Sequence, residues 1–195
     1  MIYRKPDETI KVGGLDYRVD TDFRVWMRLS IAAAKQNDDA LSKEIRDFCV
    51  MQGLPVSDDT FSAVLRFFLC GNEPEEKKRG SAKKERAYDF EKDEALIVSA
   101  FRTQYGIDLR RDSLHWWDFM ALFGGLKHDL PICEIMGYRT MDLSGMGKDQ
   151  RKRYKALKDK YSLDVKRYGS LEERNQALKD RIKQIQREVT GQNGE

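Results

Sequence analysis

Hydrophobic and polar positions change their period several times along the chain. Residues 8–19 (ETIKVGGLDYRV) alternate, with Ile10 and Val12 before Gly13-Gly14 and Leu15, Tyr17 and Val19 after it. A period of two marks half-buried strands, and two glycines supply the positive φ angles of a tight turn, so the segment predicts a β-hairpin. A lone hairpin is marginal in water and should lean on the helices that follow. From about Asp22 the period becomes helical, with Phe23, Trp26, Ser30 and Ala33 on one face and an expected end at Asn37. A second helix is expected to take Asp38 or Asp39 as N-cap, turn Leu41, Ile45, Phe48 and Cys49 inward, and stop at Gly53 before Leu54-Pro55. In the third, Ser57 caps, Asp58 and Asp59 complement the helix dipole, and Phe61, Val64, Leu65 and Phe68 make the apolar stripe.

The pattern then breaks. Residues 71–87 (GNEPEEKKRGSAKKERA) hold ten charged residues in seventeen and no large apolar one, which predicts a solvated linker and a domain boundary. Beyond it, Asp89 is expected to cap a helix carrying Phe90, Ile97, Phe101 and Tyr105, ended by Gly106 in a left-handed conformation. LHWWDFMALFGGL (114–126) is apolar at nine of thirteen positions, so a helix there must be buried on more than one side. Pro131 predicts the first position of a short helix that runs through Met136 and ends at Gly137. A glycine-containing stretch, 144–147, leads into a charged tail.

That tail keeps a three–four spacing of Tyr154, Leu157, Tyr161, Tyr168, Leu171, Leu178, Ile182, Ile185 and Val189, interrupted by Asp164 and Asn175. Leu171, Asn175, Leu178, Ile182, Ile185 and Val189 have the a/d character of a parallel coiled coil with one register-fixing polar residue, and are the candidates for self-association. The same pattern fits an amphipathic pair folding back in cis. Ser170 and Glu173 form a capping box that divides the tail after Gly169.

Composition narrows the class. The 195 residues include 36 Lys+Arg and 33 Asp+Glu, a net charge of +3, with 40% hydrophobic residues, enough for a core without staples. Residues 148–195 alone carry a net of +6, which leaves a slightly acidic body. Three widely spaced cysteines (Cys49, Cys70, Cys133) argue against a disulfide framework or zinc finger and fit a reducing cytosol. The opening MIYRKPDETI lacks a signal-peptide h-region, and the most apolar candidate span, FSAVLRFFLC, is short and carries Arg66. An intracellular, soluble protein is expected.

Catalytic patterns are lacking. His115 and His128 sit in no HExxH or HxH arrangement, and their spacing to Cys133 matches no metal site. Gly124-Gly125 follows no strand, Gly80-Ser81-Ala82-Lys83 is not a phosphate loop, and no GxSxG occurs. No enzyme activity, cofactor or metal is expected. KDQRKRYKALKDK (148–160) interleaves cations with tyrosine as a phosphate-binding stripe would, but the acids mixed into the tail favour a solvated helix face over nucleic acid.

Aromatic residues are the ones that anchor interfaces, so Trp116, Trp117, Phe119, Phe123 and Tyr138 are the candidates for a partner-binding surface, against the plainer reading that they form a core. The stretch from Tyr88 to Tyr161 resembles the bacteriophage "gene product fifteen" family of long-tailed phages and prophages. The resemblance runs through Asp89-Phe90-x-x-Asp93, Phe101, Gln104-Tyr105-Gly106-Ile107-Asp108-Leu109, Leu114-His115-Trp116-Trp117-x-Phe119-x-Ala121-Leu122, Gly125-Leu126, Tyr138-Arg139-Thr140-Met141-Asp142 and Tyr154-x-x-Leu157-Lys158-x-x-Tyr161. It implies a tail assembly chaperone that binds the tape measure protein, keeps it soluble and recruits major tail tube subunits. It also implies homo-oligomers on the client, residence in the cytoplasm of the infected or lysogenic host, and absence from the mature virion. A structural virion component and a nucleic-acid-binding protein are the alternatives. The expected architecture is mainly α: a hairpin-plus-helices domain (1–70), a linker (71–87), a helical signature domain (88–147) and a basic helical tail (148–195).

Overall fold

A computed structural model of the protein describes residues 5–35, 38–72 and 85–163. The described residues are mainly helical with one small hairpin, β1 (Thr9–Val12) and β2 (Leu15–Arg18). The strands pair antiparallel with Val12 opposite Leu15, and Gly13 and Gly14 turn between them at φ 56° and 84°. Ile10 and Val12 are buried, and the hairpin packs through β1 against α3 (Asp58–Phe68), as a ribbon too small to stand alone requires.

Helix α1 (Phe23–Ala34) starts where the Asp22 carboxylate accepts the Arg24 N–H, and α2 (Asp38–Met51) turns through Gly53 at φ 67° into α3. The helices form as expected, but two faces are rotated by one residue. On α1 the buried positions after Trp26 are Leu29 and Ala32, not Ser30 and Ala33. On α3 they are Thr60, Val64 and Phe67, while Phe61, Leu65 and Phe68 are half-buried. Thr60 is tolerated inside because its hydroxyl lies 2.9 Å from the Ser57 hydroxyl, which also accepts the Thr60 N–H and so caps the helix.

Past the charged segment, most of which lies outside the described residues, α4 (Glu94–Tyr105) begins four residues later than Asp89 would place it. Asp89 instead holds the preceding turn by accepting the N–H groups of Glu91 and Lys92, each at 3.0 Å. Gly106 ends α4 at φ 72°, as its position predicts. Then come α5 (Trp116–Gly124) and α6 (Pro131–Thr140). Helix α6 runs through Gly137, where a Cβ would point into open space, so a solvent-facing glycine weakens the helix without ending it.

The described residues on both sides of 71–87 share one core, from Ile10 and Val12 through Trp26, Phe48 and Val64 to Phe101, Phe119 and Ile132. Backbone pairing ties the halves: Phe23 N–H donates to the Leu114 carbonyl at 3.0 Å, and Trp116 N–H to that of Thr21 at 2.8 Å. Arg24 crosses the same seam, its guanidinium donating to the carbonyls of Leu109 (2.8 Å) and Asp112 (2.9 Å). The chain up to Asp142 is one compact unit, and Leu143 opens a second that contains α7 (Lys148–Tyr161). The helical division after Gly169 and the coiled-coil residues lie outside the described residues.

Candidate functional site

The aromatic segment turns inward. Trp116, Phe119 and Phe123 are 1%, 0% and 6% exposed, so a partner cannot reach them in this fold. Helix α5 is only nine residues long and is enclosed on several sides. Phe119 stacks on Phe23 from α1 (4.8 Å between centroids) and Phe101 from α4 (5.2 Å), and Phe68 of α3 stacks on Trp116 at 5.5 Å. Both indole N–H groups donate at 2.8 Å to the last carbonyls of α3, Trp116 to Phe68 and Trp117 to Phe67. The Phe67 carbonyl also accepts the Cys70 N–H at 2.9 Å, and the two indoles add to this C-terminal cap. Trp117 and Tyr138 are half-buried, and these two of the five candidates retain surface.

The other motif residues are fasteners. His115 is the N-cap of α5: its Nδ1 accepts the Trp117 N–H at 3.0 Å, and its Nε2 lies 3.0 Å from the Asp7 carbonyl. Both ring nitrogens are engaged, and among the described residues no group of three or more His, Cys, Asp or Glu is placed to hold a metal. Asp93 and Arg139 form a buried two-pronged ion pair, with Nη1 to Oδ2 at 2.6 Å and Nη2 to Oδ1 at 2.9 Å. Arg139 also donates to the Ala87 carbonyl and Asp93 accepts the Asp89 N–H, so one buried pair gathers the turn, α4 and α6. Gln104 bridges to α5's far end by donating to the Gly125 carbonyl and accepting the Lys127 N–H, and Tyr105 donates to the Leu122 carbonyl.

Two carboxylates are held below the usual range. For Asp108 the Arg110 N–H outweighs desolvation, with help from Arg102 and Arg111. For Asp89 burial pushes upward, and the Lys92 N–H, Arg86 and the Glu91 N–H together override it. Burial raises the Tyr88 phenol and all three thiols, so Cys49, Cys70 and Cys133 are held as thiols rather than activated as thiolates. A cleft of about 220 Å³ between the end of α1 and residues 86–92 presents Lys35 and Lys92 beside Glu91 and the Arg86–Asp89 pair. It is smaller than typical pockets for organic ligands.

Exposed large apolar side chains lie elsewhere. Around the α2–α3 turn Val50, Met51 and Val56 are more than half exposed, as is Leu15 at the hairpin tip. The sequence signal for the first two was available, since Val50 and Met51 follow the inward Phe48 and Cys49 around the helix. Helix α7 buries none of its residues, and Tyr154, Leu157 and Tyr161 on its seam are half-buried. It carries seven Lys+Arg against Asp149 and Asp159. The self-association candidates Leu171, Asn175, Leu178, Ile182, Ile185 and Val189 lie outside the described residues.

Among the described residues no helix is long and apolar enough to cross a membrane. No curated protein and no solved structure matches the chain. Residues 6–163, however, match the family described as Bacteriophage Gp15 protein. The match reaches back through the hairpin and α1–α3, well beyond the motifs between Tyr88 and Tyr161, in keeping with a core that both halves share. With the match spanning most of its length, the chain belongs to the Bacteriophage Gp15 protein family.

Proposed function

We propose that this phage protein is a tail assembly chaperone, which binds the tape measure protein, keeps it soluble and brings major tail tube subunits to it. The family match over residues 6–163 carries the reading. The structure lends support through what it leaves outside. An elongated helical client is held by many modest contacts along its length, and the chain offers exposed Val50, Met51 and Val56 together with the amphipathic α7. It acts by binding, without catalysis or cofactor, in the cytoplasm of the host. Several copies coat one client and are gone from the finished particle.

Co-expression with the tape measure protein of the same genome tests this. Affinity purification should recover soluble tape measure carrying several copies of the chain, counted by native mass spectrometry, and mass spectrometry of mature particles should not find it. An insoluble tape measure with nothing co-purifying would sink the reading. Abundant chain in the particle would make it a structural tail component instead.

A further inference from the structure

Helix α7 carries a more specific message than its net charge. Taking Tyr154 and Tyr161 as a positions and Leu157 as d, the flanking e positions are Arg151 and Lys158, and the g positions are Arg153 and Lys160. All four flanking positions along the seam are cationic. In a parallel pair of helices g faces e of the partner, and in an antiparallel pair like positions face each other. Two copies of α7 would set cation against cation in either orientation. The helix is thus built against pairing with itself.

We infer that α7 docks side by side with an acidic amphipathic helix supplied by a different kind of chain. The apolar seam of that helix packs on Tyr154, Leu157 and Tyr161, and Glu or Asp at its flanks pairs with Arg151, Arg153, Lys158 and Lys160. Arg151 and Arg153 are exposed and make no ion pair among the described residues, whereas in the body Arg18, Arg24, Arg28, Lys43, Arg86 and Arg139 each have a carboxylate partner. Lys160 lies 5.0 Å from the centroid of the Tyr161 ring, which joins seam and flank into one surface. The seam's aromatics are tyrosines, and α7 holds no Trp or Phe and a single Leu, Leu157, short of the apolar face that would sink it into a lipid interface. Fourteen residues present only about 21 Å of helix. Each contact is therefore weak, and strength comes from repetition along an extended partner. The inference deepens the chaperone reading by naming the kind of client segment, and rests on it only for which protein supplies that segment.

The test uses the full-length chain and two fluorescent synthetic peptides of three heptads, with Leu at a and d and either Glu or Lys at every e and g. Anisotropy at low salt should show binding of the Glu peptide, weakening as salt rises, and none of the Lys peptide. The variant R151E/R153E/K158E/K160E should lose the Glu peptide by about 16-fold, four pairs at roughly twofold each. It should gain the Lys peptide, which a merely melted helix would not do. The neutral R151Q/R153Q/K158Q/K160Q should bind neither well. Equal binding of both peptides, full affinity of the neutral variant for the Glu peptide, or tighter binding of duplex DNA or anionic vesicles than of the Glu peptide would each overturn the proposal. Because the peptides replace the client, a positive result here with no tape measure co-purifying would leave the docking site standing and remove the chaperone reading alone.

Discussion

Two regions of the chain treat the same residue types in opposite ways. In the body, up to Asp142, aromatic rings interlock at the centre, and much of the charge is spent internally: Arg139 on Asp93, Arg86 on Asp89, Arg24 on Asp22 and two carbonyls. In α7 no residue is buried, and Arg151 and Arg153 stand exposed with no ion pair among the described residues. The motifs that carry the family resemblance lie overwhelmingly in the first region, where they close helices and bridge elements. A family signature of this kind specifies a fold. On the proposed reading, recognition of another chain falls to α7, whose motif residues Tyr154, Leu157, Lys158 and Tyr161 stay unburied.

The contrast predicts a graded set of responses. Phe119→Ala should cost about 3–5 kcal/mol in denaturant unfolding, since it empties the point where α1, α4 and α5 meet. A cost near that of a surface substitution would mean that the halves do not share one core. Arg139→Ala leaves Asp93 buried without its partner and should also cost about 3–5 kcal/mol, while the double variant R139M/D93L should recover a substantial part of the loss. If the single and double variants unfold alike, the pair is not the junction described. Trp117→Phe keeps an aromatic ring but removes the N–H that the Phe67 carbonyl accepts beside that of Cys70, for an expected loss of about 1 kcal/mol. The smallest effect concerns acid. Asp89 and Asp108 have folded pKa values below their unfolded ones, so the stability they contribute is complete above about pH 4 and disappears as pH falls through the lower, folded values. D89N/D108N should be less stable at neutral pH and should show a shallower loss below about pH 4, followed by urea midpoints across that range.

The parts of the fold set by local chemistry could be read directly. Gly13-Gly14 admits only residues that accept positive φ, Ser57 before two aspartates is a helix start, and Gly106 takes the left-handed conformation that ends α4. The parts set by distant partners could not. Phe67 and Phe68 are adjacent and equally apolar, so which one turns inward depends on Trp26 and Trp116, which stack on them from other helices. Asp89 is the cap the sequence predicts, yet α4 starts after Asp93, whose carboxylate makes no cap hydrogen bond and instead holds Arg139, forty-six residues further on. The aromatic run 114–126 announced burial on several sides, yet a core and an interface make the same demand on composition. Only the enclosing helices decide between them, and they assign Trp116, Phe119 and Phe123 to the core.

The most direct measurement compares two full-length variants in co-expression with the tape measure protein. Trp117→Phe alters a signature residue of the body, and R151E/R153E/K158E/K160E alters only the flanks of α7. The first should still bring soluble tape measure through affinity purification at close to the wild-type yield. The second should leave the tape measure insoluble while the body keeps the wild-type urea midpoint, since the four substitutions lie in the other compact unit. Wild-type recovery by the α7 variant, with loss confined to the Trp117 variant, would contradict the division of labour between the two regions.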